Sequence, residues 1–140
     1  MIIADTNVVS EFMRDTPDPF VLEWAGSVGA SDLTICVVTV EEIERGLGRL
    51  PAGRRRRDLE QRWTRLLDLY TESVAIYDLP AARQTAAIVV AAEGAGRPMA
   101  LADAQIAGIC LAGGYELATR NVKDFISTAG LIVVDPFLRH

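Results

Sequence analysis

Histidine is almost missing from this chain: the only one is His140, the last residue. Without an internal imidazole there is no base for a Ser-His-Asp or Cys-His system, and the usual zinc sites lose their ligands. Cysteine is scarce too. Cys36 and Cys110 stand alone inside apolar stretches with no CxxC or Cys/His cluster, so they read as small core residues in a reducing compartment. Long apolar runs are also absent. No stretch of roughly 18 uncharged apolar residues is available to span a bilayer, and Met1-Ile2-Ile3-Ala4-Asp5 lacks the basic start and long apolar middle of a signal peptide. A cytoplasmic location is expected. No G-x-G-x-x-G follows the first apolar run, which argues against dinucleotide binding.

What remains is a chain of 140 residues, half of them hydrophobic, enough for one domain over residues 1–140 with a buried core. Strand-like and helix-like stretches alternate along it without linker or repeat. The strand candidates are 1–4, 33–38, 74–77, 115–118 and 131–134, each short and apolar or β-branched. Helical spacing covers 8–13, 20–28, about 40–50, 54–70, 80–93, 101–112 and 122–129, with Pro17, Pro51-Ala52-Gly53, Gly94-Ala95-Gly96 and Gly113-Gly114 as breaks. Such alternation predicts an α/β fold: a mostly parallel sheet with helices on both faces.

Sheets of this kind bind ligands beyond the carboxyl ends of their strands, and four acids fall there. Asp5 ends the first strand, Glu42 lies in the turn after the second, Asp103 begins a helix, and Asp124 follows the fourth strand. Each also has an ordinary reading at a helix start. Thr39 and Glu42 have capping-box spacing, as do Asn121 and Asp124, while Asp5 and Asp103 fit caps or first-turn acids. Capping does not explain why four acids should share one edge. Two carboxylates ~5 Å apart repel by roughly 3 kcal/mol at an effective dielectric of 20, a cost that a divalent cation removes. With no internal histidine, a metal here is held by oxygen, which suits Mg²⁺ or Mn²⁺.

The net charge of −5 hides a strong local asymmetry. Residues 45–65 carry eight arginines, including Arg54, Arg55, Arg56 and Arg57, against only Asp58 and Glu60. Such a block steers a polyanion or docks an acidic partner, and equally makes a solvated helix face. Trp63 and Phe125 offer rings for base stacking, though their helical spacing favours the core.

Four segments together carry a family resemblance: Ile2-Ile3-Ala4-Asp5-Thr6-Asn7-Val8-Val9-Ser10-Glu11, Val38-Thr39-Val40-Glu41-Glu42-Ile43-Glu44-Arg45-Gly46, Leu101-Ala102-Asp103-Ala104-Gln105-Ile106-Ala107 and Leu117-Ala118-Thr119-Arg120-Asn121-Val122-Lys123-Asp124-Phe125. In this order and spacing, over nearly the whole length, the chain resembles the PIN-domain ribonucleases, and most closely the VapC and FitB toxins of bacterial toxin-antitoxin pairs. The resemblance implies a three-layer α/β/α sandwich with a short parallel central sheet, whose acids bind Mg²⁺ or Mn²⁺ for RNA hydrolysis. It makes Asp5 and Asp103 the leading metal ligands. It favours Glu42 over Glu41, because an aliphatic residue and a glycine follow at Ile43 and Gly46. At the fourth segment it points to Asp124, with Asn121 as the alternative. Asn7, Ser10 and Thr119 stand where orienting groups would, a role capping explains about as well.

The function implied is a Mg²⁺-dependent endoribonuclease acting on a structured RNA such as tRNA. Its expected partners are a VapB-like antitoxin, a second copy of the chain in a homodimer, and operator DNA in a larger assembly. The arginines 54–57 would then face RNA or antitoxin. The competing reading is a binding or signalling module, either an inactive PIN domain or a receiver-like domain. A receiver needs a phospho-acceptor Asp at a central strand end, where this chain offers only Asp78.

Overall fold

In the computed structural model, which describes residues 1–139, the apolar start of the chain forms β1 (Ile2–Ala4). His140 lies outside the described residues. Asp5 stays extended while its carboxylate accepts the Thr6 N–H at 2.8 Å, so one residue ends the strand and caps α1 (Thr6–Phe12). Pro19 opens α2 (Pro19–Val28), capped by the Asp18 carboxylate, which accepts the Phe20 N–H at 2.8 Å. A 3₁₀ turn (Ala30–Asp32) leads to β2 (Leu33–Thr34). There follow α3 (Val37–Gly48), α4 (Arg54–Asp68), α5 (Leu79–Gly94), α6 (Leu101–Gly113), β3 (Glu116–Ala118), α7 (Val122–Phe125) and β4 (Val133–Val134).

The four strands form a wholly parallel sheet in the order β2-β1-β3-β4. Five strands were expected, and the run 74–77 is the difference. Only Ala75 meets the sheet, in a single bridge to Cys36: its N–H donates to the Ile35 carbonyl and its carbonyl accepts from Val37, both at 2.9 Å. Ile76 and Tyr77 are exposed, and Asp78 immediately caps α5 by accepting the Ala81 N–H at 3.0 Å. With only Ala75 bridged to the sheet, Asp78 ends no strand and does not stand where a receiver's phospho-acceptor would.

Two helix starts also differ from expectation. The helix α3 begins at Val37 with Cys36 as its cap, so Thr39 lies inside the helix and the Thr39/Glu42 capping box does not form. Asn121 precedes α7 without a side-chain cap bond, and that helix ends at Phe125, four residues early.

Alternate strand residues point to opposite faces. Ile3 and Leu117 join Ile106, Ile109, Cys110 and Phe125 under α5, α6 and α7. Ala4, Ala118 and Leu33 join Val8, Val9, Trp24, Ile43 and Trp63 under α1 to α4. Helices therefore cover both faces, the three-layer arrangement expected. Trp63 is 5% exposed and Phe125 1%, which places both rings in the core and not on an RNA surface. The Trp63 indole N–H donates to Glu44 Oε2 at 3.2 Å. Cys36 and Cys110 are free and buried, and burial pushes both thiols up. The turn after α1 is tied by buried Glu11, which accepts the Asp18 N–H at 2.8 Å and pairs with Arg14 at 3.2 Å.

Candidate active site

The chain runs from β1 to β2 on one side of the sheet and returns to β3 on the other, so strand order reverses between β1 and β3. That reversal leaves a crevice beyond their carboxyl ends. Asp5 follows β1 directly and Thr119 follows β3 directly. Asp5 is 4% exposed, and both its oxygens are engaged. Oδ1 accepts the Thr6 N–H; Oδ2 accepts the Thr119 hydroxyl at 2.7 Å and the Asn7 amide at 3.3 Å. The Thr119 oxygen in turn accepts from Asn7 Nδ2 at 3.2 Å and the Asn121 N–H at 3.1 Å. One donor and two acceptor positions fill its capacity, so its hydroxyl has one orientation. Asn7 completes the network by accepting the Arg120 N–H at 3.0 Å.

Glu42 enters from the second turn of α3. Its Oε1 accepts the Thr6 hydroxyl at 2.8 Å, and the Thr6 oxygen lies 3.2 Å from that of Thr39. Glu41 points outward instead, gripped by Arg45 at 2.9 and 3.1 Å. Thr6 was not foreseen as a positioning group, although the triplet Asp5-Thr6-Asn7 was in view. Its role depends on a partner 36 residues away.

Asp103 sits half-buried in the first turn of α6. Burial, and then the charges of Asp5, Asp124 and Glu42, push its carboxyl up to about 6. Burial also raises Asp5, partly countered by its bonds from Thr119, Thr6 and Asn7, with the charge of Asp124 adding to the rise. The four acids therefore share one electrostatic neighbourhood, brought together from β1, α3, α6 and α7. Asp124 is exposed at its rim, as is the Asn121 side chain. Ser10 lines the adjoining groove with Thr6 and Glu42.

Among the described residues, no three Asp, Glu, His or Cys side chains converge tightly enough to enclose a bare ion. The donor set still fits a hard cation. Mg²⁺ keeps several waters and takes only one or two carboxylates directly, which buried Asp5 and half-buried Asp103 could supply.

The pattern of the PIN domain family matches residues 2–131. The chain belongs to the PIN-domain family. This PIN domain is 34% identical to the plasmid stability protein StbB of Pseudomonas syringae pv. tomato, over 98% of the chain and 99% of that protein. It is 35% identical to the VapC ribonuclease Y4jK of Sinorhizobium fredii, over 98% of each. Among solved structures, that of FitAB bound to an IR36 DNA fragment superposes with a TM-score of 0.90 at 32% identity, covering 100% of this chain and 99% of that one.

Burial of Asp103, with the acids around it, gives the PIN domain a pH response. Because folding raises the Asp103 value, the folded state holds that proton more tightly than the unfolded chain does. The resulting stability is present below about pH 4 and is lost as pH rises through about 6. At face value the displacement is worth about 3 kcal/mol; solvent at this half-exposed position reduces it to about 1 kcal/mol. Asp103→Asn should therefore stabilise the metal-free protein by about 1 kcal/mol at pH 7 and by nothing near pH 4. Urea denaturation in EDTA at both pH values measures this, and equal effects at the two would contradict the upward push on Asp103 from burial and its acidic neighbours.

A groove of about 570 Å³ adjoins the acids between α1, α3 and α4, with Thr6 and Glu42 at its wall and Arg55 and Arg62 across from them. The arginine block divides here. Arg56 pairs with Glu60 at 2.9 Å and donates to the Leu50 carbonyl at 3.2 Å, bracing the segment after α3. Arg62 donates to the Met13 carbonyl at 2.8 Å and pairs with Asp15, pinning α4 to the end of α1. Arg54, Arg55 and Arg57 are exposed.

Proposed function

We propose that this protein, a single PIN domain over residues 1–140, is a Mg²⁺- or Mn²⁺-dependent endoribonuclease and the toxin of a VapBC-type pair. The observation that carries this reading is the gathering of Asp5, Glu42, Asp103 and Asp124 near the switch point of a parallel sheet, where burial and then the charges of the other three push the Asp103 carboxyl up to about 6. Similarity to a VapC ribonuclease over 98% of both chains supports the same reaction class. All four acids are present, which speaks for an active domain over an inactive one.

Asp5 and Asp103 would hold the ion, directly or through water, with Glu42 and Asp124 beside them. An ion there would supply Lewis-acid activation of water and charge stabilisation at a phosphodiester. The chain's own contribution is preorganisation. Thr119 and Asn7 fix Asp5, Thr6 fixes Glu42, and Asn121 stands beside the rim acid Asp124. Ser10, at the groove mouth, is placed to orient substrate. The substrate is a structured RNA such as tRNA, guided by Arg54, Arg55 and Arg57.

The groove between α1, α3 and α4 is the seat of a VapB-like antitoxin. Similarity to FitAB bound to an IR36 DNA fragment supports a DNA-bound assembly, in which this chain would pair with a second copy and with the antitoxin on operator DNA. Among the described residues no helix is long and apolar enough to cross a membrane, in keeping with action on cytoplasmic RNA. The test is cleavage of a tRNA pool by the purified protein. Cutting is expected with Mg²⁺ or Mn²⁺ and should vanish in EDTA; undiminished cutting in EDTA overturns the metal-dependent reading.

A further inference from the structure

On the other side of the acids, away from the large groove, lies a recess of about 280 Å³ lined by Asp103, Asp124, Arg97, Lys123 and Ser127. We propose that Arg97 and Lys123 form a phosphate subsite there, holding the RNA backbone one step along from the phosphate that is cut. The inference rests on the nuclease reading above and adds the path of the strand.

Both cations stand on fixed backbone. After α5 the chain closes in a Schellman turn: the Arg97 N–H donates to the Ala92 carbonyl at 2.9 Å and the Gly96 N–H to that of Glu93 at 3.0 Å, with Gly96 at φ +71°. Pro98 then restricts Arg97 to extended backbone. Lys123 lies in α7, anchored through Phe125 in the core. Both side chains are exposed.

Their charge is also uncommitted. Among the described residues, the ion pairs engage Arg14, Arg45, Arg56 and Arg62, and neither Arg97 nor Lys123 joins one although two carboxylates line the same recess. A carboxylate cluster repels an RNA backbone, so the strand needs cations on each side of the cut. The large groove offers exposed Arg55 on one side, and the recess offers Arg97 and Lys123 on the other. Glu42 lines one hollow and Asp103 and Asp124 the other, so a strand that reaches from one to the other passes over the acids. An acidic peptide is the weaker occupant, because it would bring further carboxylates against Asp103 and Asp124.

The test is the full chain carrying Arg97→Gln and Lys123→Gln, assayed on RNA in Mg²⁺ beside Arg83→Gln, an exposed cation on α5. The double variant should raise KM about 10-fold and lower the slope of log KM against log salt by about 1. It should keep kcat within about twofold, keep the Mg²⁺-induced rise in melting temperature, and leave Arg83→Gln like wild type. Replacing single phosphates of an oligonucleotide substrate by neutral methylphosphonates should reveal one flanking position that costs wild type the same factor and costs the double variant nothing more. Unchanged KM and salt slope, with metal-dependent cleavage intact in wild type, overturn the subsite alone. A double variant that weakens only antitoxin binding overturns it in favour of a protein contact. Absence of metal-dependent cleavage in wild type removes the nuclease reading and the subsite with it.

Discussion

Asp5→Asn is expected to lower kcat for metal-dependent RNA cleavage by at least about 10³-fold, about 4 kcal/mol in barrier, without unfolding the protein. Asp5 is the most deeply placed of the four acids, and its carboxylate is aimed by three hydrogen bonds from Thr6, Thr119 and Asn7. An asparagine keeps an oxygen for the Thr6 N–H, so the cap on α1 survives. Its amide nitrogen then faces Asn7 Nδ2 and a Thr119 oxygen whose two acceptor positions are already taken, so one bond of the network must be given up. That rearrangement costs about 1 kcal/mol, offset because a neutral amide escapes the burial that pushes the Asp5 carboxyl up. The variant should therefore melt within a few degrees of wild type and show no Mg²⁺-induced stabilisation. Single-turnover cleavage together with thermal melts separates the two effects. Activity within 10-fold of wild type would remove Asp5 from the metal site.

The second large effect is on the fold itself. Gly108→Ala should destabilise the protein by about 3 kcal/mol in urea denaturation. A methyl group built there would stand 2.1 Å from Thr85 Oγ1, 2.7 Å from the Ala81 carbonyl oxygen and 3.1 Å from the Thr85 nitrogen. Two of those three atoms are backbone, so no side-chain rotation clears the site and α5 and α6 must part. Thr85 also bridges the helices, its hydroxyl 2.9 Å from the Ala81 carbonyl and 3.3 Å from that of Ala104. Thr85→Ala in the same chain should recover only part of the loss, since the Ala81 contact stays. Because α6 carries Asp103 in its first turn, the substitution reaches the acids as well. A loss below 1 kcal/mol would show that the helices can separate freely.

Much of the site was legible because its residues sit where local signals change. Asp5 ends an apolar run and starts a helical one, and Asp103 lies just inside a helix start; both positions follow from strand and helix periodicity alone. The choice of Glu42 over Glu41 did not. Sequence spacing started α3 near Val40, whereas the chain turns into the helix at Val37, so the phase that brings Glu42 to Thr6 was hidden and family resemblance supplied the choice. The run 74–77 looked like a strand because composition reports an apolar, β-branched segment but not whether a neighbouring strand is long enough to pair with it. With β2 ending at Thr34, only Ala75 finds a partner. The arginine block read as one basic surface because Arg56 and Arg62 look like their neighbours until the ends of α3 and α1 come within reach.

The bond between Thr119 and Asp5 joins residues 114 positions apart, and the central strand carrying Asp5 finds its β3 neighbour only at Glu116–Ala118. During synthesis the first strand therefore waits for most of the chain to be made. A fragment ending before residue 116 lacks β3, Thr119 and Asp124, so it cannot complete the cluster around Asp5 however well α1 to α6 have collapsed. Any activity that depends on the completed cluster would therefore appear only once the segment 116–124 has been made and has paired with β1.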